Sequence, residues 1–121
     1  MKRYSKEHEW VELEGDVATM GITAFAAEEL GDITYVELPA LGKQVKTNEV
    51  LCVVESVKAA SDVYCPVGGT VAAVNQELDG EPGLVNQEPE GKGWFCKLKG
   101  ASPADFNALM TAEDYAKFTA K

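Results

Sequence analysis

The sequence has no long hydrophobic run. Its longest unbroken apolar stretch, Val50-Leu51-Cys52-Val53-Val54, is five residues, against the roughly 20 that a membrane-crossing helix needs, so no membrane association is expected. The basic start Met1-Lys2-Arg3 runs into Glu7, His8, Glu9 and Trp10 with no apolar segment behind it, which argues against an export signal or transit peptide. Cysteine is scarce and odd in number: Cys52, Cys65 and Cys96 form no C-x-x-C pair, excluding a disulfide framework or a zinc ribbon and favouring a reducing compartment. There is one histidine, His8, between two glutamates; alone it supports neither a Ser-His-Asp triad nor a metal centre and reads as a solvated or structurally bonded ring. Basic charge is also short, 11 Lys and Arg against 20 Asp and Glu for a formal net charge of −9. Nucleic-acid binding needs cations to neutralise phosphates, so nucleic acid is excluded and basic protein surfaces are the expected partners. No phosphate-loop or dinucleotide fingerprint occurs, and Gly68-Gly69 and Gly91-Lys92-Gly93 read as turns.

What is present suits one small folded unit. The 121 residues are 45% hydrophobic and 26% charged, close to the globular average, and residues 1–121 are read as a single domain. Trp10 to Met20 alternates around Gly15-Asp16 as a β-hairpin. Thr23 to Leu30 reads as one or two helical turns, capped by Thr23 and closed by Gly31. Ile33, Tyr35 and Val36 resume β character. The Val50–Val54 run suits a strand buried on both faces, followed by Val63-Tyr64-Cys65, a Gly68-Gly69 turn and a strand from Thr70 to Val74. Residues 75–83 read as turns, and Leu84-Val85 and Trp94-Phe95-Cys96 as further apolar pieces. Short strands with frequent turns indicate a barrel or sandwich. Residues 102–119 read as a helical C-terminal segment, with Ser102-Pro103 opening a helix, Phe106, Leu109 and Met110 on one face, and a second start at Thr111 leading to Tyr115 and Phe118.

The chain also carries a faint echo. Asp32-Ile33 through Pro39-x-x-Gly42 is matched by Asp62-Val63 through Pro66-x-x-Gly69, the pattern of two half-sheets folded face to face. The connection between the halves contains Lys58, flanked by Val57 and by Ala59-Ala60, with Glu55 and Asp62 on either side. By spacing alone a lysine there is an ordinary exposed loop residue.

The string Val54-Glu55-Ser56-Val57-Lys58-Ala59-Ala60-Ser61-Asp62 resembles the lipoylation motif of the glycine cleavage H-protein family. His8-Glu9-Trp10-Val11, Gly21-Ile22-Thr23, Leu30-Gly31-Asp32-Ile33, Val36-Glu37-Leu38-Pro39, Leu84-Val85-Asn86, Gly93-Trp94 and Leu109-Met110 follow the same family's order. The resemblance implies a mainly β fold, the flattened barrel-sandwich hybrid of lipoyl and biotinyl carriers, with short helices and a C-terminal helix. It implies lipoate joined covalently to Lys58, with Glu55, Ser56 and Asp62 as candidate contacts for the enzyme that attaches it, a lipoate-protein ligase or an octanoyl or lipoyl transferase.

By the same resemblance the chain is a carrier with no catalytic site of its own. It would take the aminomethyl group of glycine from a pyridoxal-phosphate glycine decarboxylase to a tetrahydrofolate-dependent aminomethyltransferase, and its arm would be reoxidised by a dihydrolipoamide dehydrogenase. A monomer in the cytoplasm, or in the mitochondrial matrix if the source is eukaryotic, is expected. Three rival readings share the exposed lysine. A lipoyl domain of a 2-oxoacid dehydrogenase complex typically shows Asp-Lys-Ala and lacks the helical tail; a biotin carrier usually brackets its lysine with methionines; an unmodified β interaction module would leave Lys58 bare.

Overall fold

In a computed structural model, which describes residues 2–120, two antiparallel sheets enclose the core. Strands β1 (Lys2–Tyr4), β2 (Glu9–Glu14) and β3 (Val17–Ile22) come first, then helix α1 (Ala24–Leu30). Strands β4 (Ile33–Glu37), β5 (Gln44–Val45), β6 (Val50–Ser56), β7 (Ala60–Tyr64) and β8 (Gly69–Val74) follow. The chain then forms α2 (Glu77–Gly80), α3 (Leu84–Gln87), β9 (Cys96–Lys99), α4 (Pro103–Asn107) and α5 (Ala112–Thr119). The larger sheet has the order β1-β2-β3-β9-β8-β5 and the smaller β4-β6-β7. Neither closes into a barrel. The mainly β architecture with short helices is the one expected.

Local chemistry explains most elements. The β2–β3 hairpin turns at Gly15-Asp16 with Glu14 opposite Val17. The Thr23 hydroxyl accepts from the Ala26 amide to cap α1, which ends at Gly31 with φ 81° and ψ −157°, backbone that only glycine adopts without strain. The echo does not divide the chain into two half-sheets folded face to face: β4 and β7, which open the two echoed segments, flank β6 in one sheet, and the strands that follow them pair edge to edge in the other, Gln44 with Thr70 and Val45 with Gly69. Between the sheets lie Val11, Met20, Val36, Val54, Val71, Phe95 and Leu98, all buried.

Four other expectations need correction. Strand β6 is not buried on both faces, because Val50 is 43% exposed. A register shift between Val50 and Cys52 breaks the alternation, so that Leu51 and Cys52 are both buried while the sheet's outer face stays open. Residues 75–83 are more than turns, since they contain the single-turn helix α2, which buries Leu78; the apolar piece Leu84-Val85 likewise opens the single-turn helix α3 and is buried by it, both helices being too short to show helical periodicity. Strand β1 arises where the sequence showed only a basic start; it is fixed by pairing Tyr4 with Trp10. The tail also splits. Helix α4 ends at Asn107, so Leu109 packs on the core from beyond it and Met110 bridges to Tyr4. The second start is helix α5 as expected, and it docks through Tyr115, which stacks on Tyr4 at 4.7 Å.

Two features hold the parts in register. Gly93 sits so close to α3 that a β-carbon would come within 2.7 Å of the Leu84 carbonyl and 2.8 Å of the Glu88 carbonyl, both backbone atoms that cannot swing aside. Glu9, only 2% exposed, joins the sheets: its carboxylate accepts from the Ser5 hydroxyl at 2.7 Å and from the Tyr64 amide of β7 at 2.9 Å. Burial pushes this carboxyl up from 4.5 to about 7, against the lowering effect of those two hydrogen bonds.

Gly93→Ala should therefore cost about 1–3 kcal/mol in urea unfolding, whereas Gly80→Ala, with open space around it, should stay within about 0.5 kcal/mol of the parent. For Glu9 the sign follows from proton binding. The folded chain holds the proton more tightly, so this group's contribution is complete below about pH 4.5 and is lost as pH rises towards about 7. The isosteric Glu9→Gln lacks that titration. Measured by urea unfolding, its stability relative to the parent should rise with pH across this window, by up to about 3 kcal/mol. A flat difference would show that the carboxyl ionises normally.

Candidate functional site

The hairpin from β6 to β7 stands at the end of the smaller sheet with Val57 and Lys58 at its tip. Its turn is held from within. The Ser56 amide donates to the Ala59 carbonyl at 2.8 Å, and the Ser56 hydroxyl accepts from the amides of Lys58 and Ala59, each at 3.2 Å. The Val57 amide reaches outward to the Asp32 carbonyl at 3.0 Å, tying the tip to the corner between α1 and β4. Lys58 is exposed, and among the described residues its ammonium makes no ion pair. Its stem lies over that corner, with Cε 3.5 Å from where a β-carbon on Gly31 would stand. Such an amine on a short, well-held tip can receive an acyl group and carry it into another protein's site.

The three residues expected around Lys58 take different positions. Ser56 organises the turn. Glu55 is exposed in the row Tyr35, Glu55, Ala60 across the smaller sheet. Asp62, opposite Val53, lies further down the hairpin on the wall of an open cleft.

That cleft, about 300 Å³, runs between α1 and the hairpin. Ile22, Phe25, Leu30, Val54 and Val63 give it an apolar lining, and Glu7, Glu9, Glu29, Ser61 and Asp62 supply polar groups. It adjoins the elements that bear Lys58 and has the mixed character of a small-ligand site. Sequence reasoning missed its composition. The clustered Glu7-His8-Glu9 was the available signal, but nothing in spacing shows that Glu9 is buried while Glu7 is exposed.

His8 is structurally bonded. Its Nδ1 lies 2.8 Å from the Tyr115 hydroxyl and its ring stacks on Phe25 at 4.6 Å. Trp10 is a core residue whose indole N–H donates to the Pro89 carbonyl at 2.8 Å. The three cysteines are buried and unpaired. Burial pushes the Cys65 thiol up to about 12, and a hydrogen bond with Cys52, reinforced by burial, raises Cys96, so neither presents the thiolate that nucleophilic chemistry needs.

Residues 2–121 match the family model described as Glycine cleavage H-protein. The chain is 60% identical over 116 residues to the glycine cleavage system H protein of Caulobacter vibrioides, covering 96% of each chain. It is 56% identical over 118 residues to that of Phenylobacterium zucineum, covering 98% of each. Its fold is similar to the crystal structure of a glycine cleavage system H protein from Mycobacterium marinum, with a TM-score of 0.88, 31% identity, and coverage of 99% of this chain and 97% of the other. On the strength of these matches the chain belongs to the glycine cleavage H-protein family, the carrier component of that system and not one of its catalytic enzymes.

Proposed function

We propose that Lys58 is the attachment point of a covalent lipoyl group and that the chain carries the aminomethyl group of glycine between enzymes. The observation that supports this most directly is the exposed Lys58 amine at a tip whose turn and base are both hydrogen-bonded. Attachment is an acyl transfer. The Lys58 ammonium loses one proton to free its lone pair, the nitrogen forms an amide bond with the lipoyl carboxyl carbon, the bond from that carbon to the leaving group of an activated acyl donor breaks, and the nitrogen gives up a second proton. The cation becomes a neutral amide, and the net charge falls by one unit.

When bound, lipoate supplies the sulfur chemistry; the chain supplies binding and position. Its hairpin presents the arm in turn to glycine decarboxylase, aminomethyltransferase and dihydrolipoamide dehydrogenase, the tether raising local concentration at each docked site. Glu55 and Asp62, exposed on the two strands of the hairpin, serve as contacts for the attaching enzyme. Ser56 acts by shaping the turn. The whole chain works as a single-domain monomer in the cytoplasm.

Coexpression with a lipoate-protein ligase in lipoate-supplemented cells tests the site. Intact mass should rise by one lipoyl group, fragmentation should place it on Lys58, and the product should support glycine decarboxylation with the partner enzymes. Lys58→Arg keeps the charge but should show no mass gain and no activity. A lipoylated Lys58→Arg chain would move the site elsewhere.

A further inference from the structure

The tip carrying Lys58 has few contacts with the body of the protein, and those it has converge on the corner Gly31-Asp32-Ile33. That corner is gripped by a side chain distant in sequence. The amide group of Asn86, in α3, donates from Nδ2 to the Gly31 carbonyl at 2.8 Å and accepts at Oδ1 from the Ile33 amide at 2.9 Å. Both polar ends of one side chain are thus spent on the peptide groups either side of Asp32, as a neighbouring strand would spend its backbone. Between the two gripped groups, the Asp32 carbonyl accepts from the Val57 amide at 3.0 Å. Gly31 also forms the bed under the lysine, with Lys58 Cε 3.5 Å and Val57 Cγ2 3.7 Å from the place of its missing β-carbon.

We infer that Asn86 is a positioning residue for acylation: through Gly31, Asp32 and Val57 it fixes the height and direction of Lys58 relative to the body that an attaching enzyme must read. This rests on the assignment of Lys58 as the acylated lysine. Asn86 is half-buried and belongs to α3, across the α1–β4 corner from the hairpin, so it acts on the lysine at second hand. Three hydrogen bonds in series, with one glycine in a conformation closed to other residues, leave the tip little freedom to tilt. Only an amide side chain offers a donor and an acceptor at the two required points. In Asn86→Asp the acceptor for Ile33 survives, but a carboxylate oxygen then faces the Gly31 carbonyl oxygen.

The test uses the full chain, a lipoate-protein ligase, lipoate and ATP, following acylation by intact mass and amide hydrogen exchange by NMR. Asn86→Asp should lower kcat/KM for acylation by about tenfold or more, as a misplaced nucleophile does. The Val57 amide should lose protection while that of Val54 in β6 keeps it. Leu84→Ala, which weakens the packing of α3 without touching the grip, should lower the thermal midpoint yet be acylated at the parent rate below its transition. If Asn86→Asp does not fold, Asn86→Ser, too short to span the two groups, takes its place with the same expected losses. Acylation of either Asn86 variant at the parent rate, an unchanged Val57 amide, or an equal loss in Leu84→Ala overturns the inference. A parent chain acylated elsewhere than Lys58 overturns the site assignment instead, and the inference with it.

Discussion

A small sheet with one apolar face needs that face covered to be stable in water, and the hairpin that presents Lys58 belongs to a three-stranded sheet of this kind. It exists because Leu51, Cys52, Val54 and Val63 lose their contact with solvent against the six-stranded sheet, a burial worth about 1.5–3 kcal/mol for each large aliphatic side chain. Everything exposed about the site depends on that hidden face. The outer face of the same sheet can then carry Glu55, Tyr35 and Asp62 in water, and the tip can project without dissolving into a loop. The Glu9 carboxylate adds a polar seam to this apolar joint, at the cost of burying an ionisable group.

The division of labour along the hairpin is steep. At its root the chain is core, with Val54 fully buried. Three residues further on, Val57 is 67% exposed and the turn is governed by a single hydroxyl and one contact to the α1–β4 corner. A carrier needs both properties within one element, since its cargo must be accessible while its base must not wander. The cleft beside the hairpin, apolar within and acidic at its wall, is formed by the same elements and so keeps a fixed relation to the tip.

Much of this was legible in the sequence, and the limits have physical causes. The β2–β3 hairpin and α1 follow from local rules, a turn at Gly15-Asp16 and a cap at Thr23, and local rules survive in any tertiary setting. Lys58 stood out only through family resemblance, because an exposed lysine in a turn has no spacing that distinguishes it. What sequence could not yield were relations between distant residues: Tyr4 against Trp10 and Met110, Glu9 reaching Tyr64, Asn86 spanning Gly31 and Ile33. Polar side chains that substitute for backbone pairing leave no periodic trace, and helices of four residues leave almost none.

The short outer strands have a consequence for a molecule that must approach many partners. The margins of the larger sheet are β1, with three residues, and β5, with two. Beside β1, Met110 already exchanges backbone hydrogen bonds with Tyr4, and on β7 of the smaller sheet the Tyr64 amide is occupied by Glu9. Another copy of the chain therefore finds only brief lengths of free ladder at these places, too little to template the edge-to-edge growth that leads to fibres.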